Sequence, residues 1–366
     1  MEVRQFVESI PQLSPRDMFE RLAALGYRGQ SRARKAVCLA AYRHVRRLQR
    51  LYLDDVDRNL IPSKTNCLLM GPTGCGKTFM VELLFREILL LPTIIVDMTT
   101  FSETGYIGDD TRTILTRLVY AAGGNPDLAA CGIIAMDEFD KLASGHNNTR
   151  FAGEGTSKDV SGFGVQRELL AMLEDSEIIV PMDYGYSQYG SRVTLPTRDI
   201  TFLACGAFSG YCELHSTRKR GESLGFRNIP HARFKEGVAF HLEEDDAQDI
   251  ESFQAYGFLP ELIGRFHRIA PFEPLTRETL KSILEDNVLG RFVHEFEAEG
   301  IALEVEPEVI DAIVSQSLKR QTGARGLQSS LTRAIEDSAF DSFMDGTTRA
   351  VQLYLDQGRI VSRREK

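Results

Sequence analysis

The run Gly71, Pro72, Thr73, Gly74, Cys75, Gly76, Lys77 and Thr78 fits the spacing G-x-x-x-x-G-K-[ST]. Residues of these types at this spacing suit the binding of phosphate. Glycines let backbone N–H groups fold around phosphate oxygens, the Lys77 ammonium neutralises β- and γ-charge, and the Thr78 hydroxyl can ligate Mg²⁺. A helix starting inside the run adds the positive end of its dipole. A second candidate set is Asp137 and Glu138, two carboxylates that close the apolar run Ile133-Ile-Ala-Met136. Delivered beside the loop, Asp137 would hold the metal and Glu138 would orient and polarise an attacking water. The chemistry such a set fits is hydrolysis of ATP with Mg²⁺, with Phe79 adjoining the loop as a further nucleotide-contacting residue.

These residues need particular elements to position them. Asn66-Cys-Leu-Leu-Met70 is a short apolar run suited to a strand buried on both faces, and Phe79–Leu90 reads as a helix, so the glycine loop joins strand to helix. Further strands are expected at Thr93–Asp97, Gly132–Met136 and Asp199–Cys205, with helices at Thr111–Ala121 and Val165–Leu173. This alternation implies an α/β fold with a mostly parallel sheet flanked by helices. Ahead of it, residues 14–50 read as helical, with Ser14 as N-cap and Pro15 at the first helical position. From about Pro271 amphipathic helices dominate, at 277–288, 291–299, 307–318 and 327–343, with short strands at 301–306 and 351–355. The boundaries are therefore set at 1–271 for a large nucleotide-binding domain and 272–366 for a smaller, mainly helical one.

Composition narrows the class. With 366 residues, 43% hydrophobic and 26% charged, the chain can bury a sizeable core, and no apolar run is long enough to cross a bilayer. The N-terminal residues lack the apolar core of a secretory signal, which places the protein in the cytoplasm. The six cysteines form no CxxC pair, so reduced thiols and no zinc site are expected. A formal net charge of −9 argues against nucleic acid as the main partner.

Beyond the loop and the two acids, the chain carries Gly105-Tyr-Ile-Gly-Asp-Asp110, Met136-Asp-Glu-Phe-Asp-Lys-Leu142, Lys158-Asp-Val-Ser-Gly-Phe-Gly-Val-Gln166, Cys205-Gly-Ala-Phe208, Phe258-Leu-Pro-Glu-Leu-Ile-Gly-Arg265 and Thr322-Gly-Ala-Arg-Gly-Leu327. In these motifs and in their order, over about residues 14–345, it resembles the ClpX family of AAA+ unfoldases. The resemblance implies a homo-hexameric ring with ATP between subunits. Arg265 matches the arginine that reaches a neighbour's nucleotide, and Arg325 matches the second sensor of the small domain. Both roles suit a permanently charged fork. Tyr106 and Ile107 match the pore loop that grips polypeptide, and Val160 and Ser161 fall in the second pore loop. An aromatic between glycines can wedge against any side chain, which suits sequence-tolerant pulling of protein substrates. Leu224, Gly225 and Phe226 stand where the family docks on the ClpP peptidase. The related ring HslU carries an insertion after its pore tyrosine, for which the step of 31 positions from Tyr106 to Asp137 leaves no room.

The chain also departs from the family pattern. Only about fourteen residues precede the helical segment and none is cysteine, so the resemblance is to a form without the N-terminal zinc domain. Two aliphatic residues that contact adenine in the family are replaced by Tyr27 and Arg28, either of which could stack on a base. No Asn or Thr immediately precedes Gly206 to serve as first sensor. Asp183–Gly190 carries three tyrosines where the family has a basic pore entrance, and His215–Lys235 holds six Lys or Arg against Glu222 alone. The reading is an ATP-dependent unfoldase that threads proteins toward a ClpP-like peptidase. The alternatives are a stand-alone remodeller of protein complexes and, less favoured, a DNA-associated assembly factor using the basic segment.

Overall fold

The computed structural model describes residues 2–101, 110–143, 162–182, 192–219 and 249–366. Their contacts divide them into two compact units. One comprises Met1–Arg21, Ser31–Gly71 and Lys77–Phe272, and the other Leu22–Gln30, Pro72–Gly76 and Glu273–Lys366.

The first unit is built on strands β1 (Cys67–Met70), β2 (Thr93–Asp97), β3 (Ile133–Asp137), the hairpin β4 (Glu177–Pro181) and β5 (Arg192–Pro196), then β6 (Thr201–Gly206) and β7 (Arg268–Pro271). A five-stranded sheet runs β2-β3-β6-β1-β7 and is parallel throughout. β1 and β6 are buried along their whole length and β3 from Ile133 to Met136, as the unbroken apolar runs Cys67–Met70 and Ile133–Met136 require for a sheet covered on both faces. The core under the sheet includes Leu68, Ile134, Phe202, Ile114, Leu118 and Leu169. Truncation of one such fully buried leucine costs about 2–5 kcal/mol. The helix Pro15–Ala24 begins as expected: Ser14 Oγ accepts from Asp17 N at 3.1 Å and Asp17 Oδ2 accepts from Ser14 N at 2.8 Å.

The segment expected as one helix at 79–90 is an α-turn, Lys77–Val81, followed by a π-helical stretch, Glu82–Ile88. Leu83, Leu84, Phe85 and Ile88 are all buried there, and the wider turn keeps them turned to the core. The half-exposed hairpin β4–β5 flanks the tyrosine-bearing segment 183–190 in sequence, while strand β7 lies outside the expected strands because Arg268–Pro271 is only four residues long.

The second unit packs the helices Arg277–Ile283, Gly290–Ala298, Pro307–Arg320 and Ala324–Ser342 around Leu280, Phe296, Ile313, Leu327 and Leu331. A three-stranded sheet, β10-β9-β8, completes it, formed by β8 (Ala302–Val305), β9 (Ala350–Asp356) and β10 (Arg359–Glu365). β8 and β9 are parallel, while β9 and β10 form an antiparallel hairpin. β10 escapes the sequence pattern because Arg-Ile-Val-Ser-Arg-Arg-Glu is an edge strand with little burial. Among the described residues no helix is long and apolar enough to cross a membrane.

Candidate functional site

In the first unit the site grows from the ends of β1 and β3. Gly71 N donates to Gly206 O at 3.2 Å as the chain leaves β1 between β6 and β7. A Cβ at Gly71 would lie 2.3 Å from Phe272 O, so only glycine can make this exit. Lys77 is 7% exposed, and its Nζ donates to Gly71 O at 2.6 Å, closing the ends of the loop on each other.

Thr78 Oγ1 donates to Asp137 Oδ2 at 2.8 Å, and Asp137 Oδ1 accepts from Glu138 N at 3.0 Å. Thus both oxygens of Asp137 are held at the end of β3, one by the loop and one by the next residue. A hydroxyl and a carboxylate this close form a hard oxygen pair of the kind that holds Mg²⁺ beside phosphates. Glu138 itself is left-handed, at φ 53° and ψ 32°. A non-glycine residue in that region costs of order 1–3 kcal/mol and persists only where the surroundings impose it, and such residues concentrate where geometry serves chemistry.

What imposes the turn lies just beyond it. Phe139 is fully buried and stacks on Phe258, with ring centroids 5.3 Å apart, while Phe266 meets it edge-on at 5.4 Å. Asp140 is buried too, and its Oδ1 accepts from Ala207 N at 3.1 Å, tying the acidic turn to the end of β6. Gln166, fully buried, donates through Nε2 to Leu142 O at 2.8 Å and Gly257 O at 3.0 Å, and its Oε1 accepts from Leu259 N at 2.8 Å. The residues around the two acids are thereby fastened to the 257–266 segment that bears Arg265. Arg265 lies in this unit, half exposed, and its Nη2 pairs with Glu174 Oε1 at 2.6 Å.

In the second unit the crest of the loop, Pro72–Gly76, is surrounded closely. Gly74 (φ +76°) and Gly76 (φ +94°) take conformations that suit glycine, and Gly74 O accepts from Ala324 N at 3.0 Å. The helix Ala324–Ser342 has no side chain capping its start, so this carbonyl takes up one of its free N–H groups. Arg325 stands exposed in the first turn of that helix. Tyr27 is 2% exposed; its hydroxyl donates to Gly76 O at 3.2 Å, and a Cβ on Gly76 would meet its ring edge at 3.3 Å. Arg28 is held by Asp286, at 2.9 Å, and by Ala23 O.

The structure therefore brings Lys77, Thr78, Asp137 and Glu138 together in one unit, and Gly74, Cys75, Gly76 and Arg325 in the other. Phe79 is 37% exposed on the helix after the loop. Tyr106, Ile107, Val160, Ser161, Leu224, Gly225 and Phe226 lie outside the described residues, as does the tyrosine-bearing segment 183–190. Sequence reasoning passed over Glu174, Asp140 and Gln166 as participants. Asp140 and Gln166 sit inside quoted motifs, but nothing local to Glu174 marks it as the partner of Arg265.

A parallel sheet with a phosphate loop after β1 and paired acids after β3, one strand removed from it across β6, defines a P-loop ATPase of the AAA class. The family described as AAA domain (Cdc48 subfamily) matches residues 62–269, and that described as the C-terminal, D2-small domain of ClpB protein matches residues 275–353. Among curated proteins the chain is similar to the ATP-dependent Clp protease ATP-binding subunit ClpX 3 of Methylococcus capsulatus, at 37% identity over 86% of this chain and 73% of the relative. It is also similar to the ClpX subunits of Azotobacter vinelandii and Borrelia duttonii, at 34% and 33% identity, each over 86% of this chain and 71% of the relative. The chain belongs to the ClpX family of AAA+ ATPases, and its enzymatic activity is that of an ATPase.

Proposed function

We propose that this ATPase is a protein unfoldase that works as a homo-hexamer and threads polypeptide through a central pore. The observation that carries the nucleotide chemistry is the 2.8 Å hydrogen bond from Thr78 to Asp137, which joins the phosphate loop to the acidic strand end. ATP phosphates lie against the Gly71–Thr78 loop, with Lys77 neutralising β- and γ-charge. Thr78 and Asp137 would hold Mg²⁺, which when bound would neutralise phosphate charge. Glu138 orients and polarises the attacking water, and Arg265 of one subunit reaches the nucleotide of the next. Arg325, as second sensor, registers hydrolysis. The large domain is taken as 1–271 and the small as 272–366.

Tyr106 and Ile107, with Val160 and Ser161, grip the substrate protein. The relatives are named as ATP-binding subunits of a protease, which supports a ClpP-like peptidase as partner, docked through Leu224, Gly225 and Phe226. The test is affinity capture with Glu138→Gln, which binds ATP, hydrolyses it poorly and so retains its clients. Recovery of a peptidase that disappears when Phe226→Ala is added supports the protease-coupled reading. Clients without any peptidase would overturn it in favour of a stand-alone remodeller. Protein unfolding that persists in Tyr106→Ala would overturn threading.

A further inference from the structure

The helix Ser31–Tyr52 contains seven arginines and lysines and no carboxylate, in a chain whose net charge is −9. Its second half and the segment 61–65 line an open-mouthed cavity of about 330 Å³ in the first unit. Arg43, Arg46, Arg47, Arg50 and Lys64 line it, and not one Asp or Glu does.

Two of these cations are already balanced. Arg47 pairs with the buried Asp199 at 3.1 Å, alongside Arg58 at 2.6 Å, and Lys64 Nζ donates to Thr197 O at 2.8 Å and lies 3.6 Å from Asp175. The other three are not. Arg43, Arg46 and Arg50 are exposed, and among the described residues none has a carboxylate within ion-pair distance; Arg46 donates to Gln49 Oε1 at 2.8 Å. They fall at i, i+3 and i+7, one above another on a single helix face. Like charges at these spacings repel one another, and the helix dipole favours only those in the last turn. His44 adds no charge near neutrality, since burial holds its pKa down at about 4. Tyr42, Ser63 and Thr65, which also line it, carry hydroxyls rather than charges.

We propose that this cavity binds a compact anion bearing two or more phosphoryl groups, at a site separate from the Gly71–Thr78 loop. Three guanidinium forks with no carboxylate to satisfy them match phosphate oxygens in charge and in planar geometry. The volume is at the small end for ligand pockets, about 300–1,000 Å³, which fits an oligophosphate. A nucleic-acid strand would need a longer basic track than this acidic chain displays here.

The test is calorimetric titration of the full chain with inorganic tripolyphosphate, after the loop has been saturated with Mg·ADP in excess Mg²⁺. One saturable binding event is expected, weakened about tenfold or more in Arg43→Gln/Arg50→Gln, since both substitutions remove charge-assisted hydrogen bonds to phosphate oxygens. ATPase activity is expected to stay unchanged in that variant, and Arg43→Lys/Arg50→Lys to bind with intermediate affinity. As a check that needs no variant, tripolyphosphate should raise the Tm of the ADP-saturated protein. Absence of saturable binding, or equal affinity in the double Gln variant, would overturn the proposal. Tighter binding of a twenty-nucleotide single strand, with none of tripolyphosphate, would replace the occupant by nucleic acid. A changed sedimentation coefficient in the double variant, with tripolyphosphate affinity unaltered, would reassign the face to contact between copies of the chain.

Discussion

The hydroxyl of Tyr27 donates to the carbonyl of Gly76 at 3.2 Å, so a residue 49 positions upstream braces the phosphate loop one position before Lys77. At 2% exposure Tyr27 has no free ring face on which a base could stack. Its place in the fold is beneath the loop.

Tyr27→Phe is expected to keep the packing and lose the bond. A neutral hydrogen bond contributes about 0.5–1.5 kcal/mol, so the KM for ATP should rise roughly 2- to 12-fold while kcat holds within about twofold. Steady-state ATPase kinetics check this split; a fall in kcat at unchanged KM would contradict the bracing role.

Arg265 and Glu174 form a 2.6 Å ion pair with both side chains nearly half exposed. Such a pair is worth about 0–1 kcal/mol, little enough for the arginine to exchange the carboxylate for a phosphate. Glu174→Gln should leave the Tm almost unchanged and raise ATPase kcat/KM by up to about fivefold. Arg265→Ala should lower ATPase by about 10³-fold, the scale of a lost arginine finger. Equal and small effects of both substitutions would remove Arg265 from the reaction.

Gln166, fully buried, satisfies two carbonyls and one N–H. Replacing it by the similarly sized Leu strands three buried polar groups at about 1–3 kcal/mol each, less what relaxation recovers. Chemical denaturation of Gln166→Leu should show a loss of about 3 kcal/mol or more. ATPase should fall as well, because both the acidic turn and the Arg265 segment lose a fastening.

His44 is buried, with Nε2 3.0 Å from Cys131 O and Nδ1 2.9 Å from Thr201 Oγ1. Since a carbonyl can only accept, the proton sits on Nε2 and Nδ1 accepts from the threonine hydroxyl, which is the neutral ring. Burial pulls its pKa down to about 4; the Cys131 carbonyl and the Asp199 charge oppose this, and Arg47 adds to it. The folded value lies below the unfolded one of about 6.5, so the unfolded chain takes up the proton first on acidification. The stability this provides is complete above pH 6.5 and is lost as pH falls toward 4, an effect on the order of 3 kcal/mol. Denaturation from pH 7 to 4 should show that slope, and His44→Gln, which can keep both hydrogen bonds, should flatten it.

The chemistry-bearing residues were legible because their signals are local. A strand buried on both faces is an apolar run, a phosphate loop is a glycine spacing, and the acids of β3 end such a run. Each of these is written within about ten residues, where backbone sterics and hydrophobic burial act directly. The α/β alternation and the helical C-terminal part followed from the same periodicities. Only tertiary structure decided the strand order β2-β3-β6-β1-β7, which places β6 between the loop-bearing and acid-bearing strands. It also turned Tyr27 from a candidate base contact into a brace, and paired Arg265 with a glutamate 91 positions away. Asp199, which by pattern opens a strand, became the buried partner of Arg47 and Arg58. These relationships join positions far apart in sequence, and neither composition nor period encodes them. They exist because burying the core forces distant polar groups to find one another or bear the cost of desolvation alone.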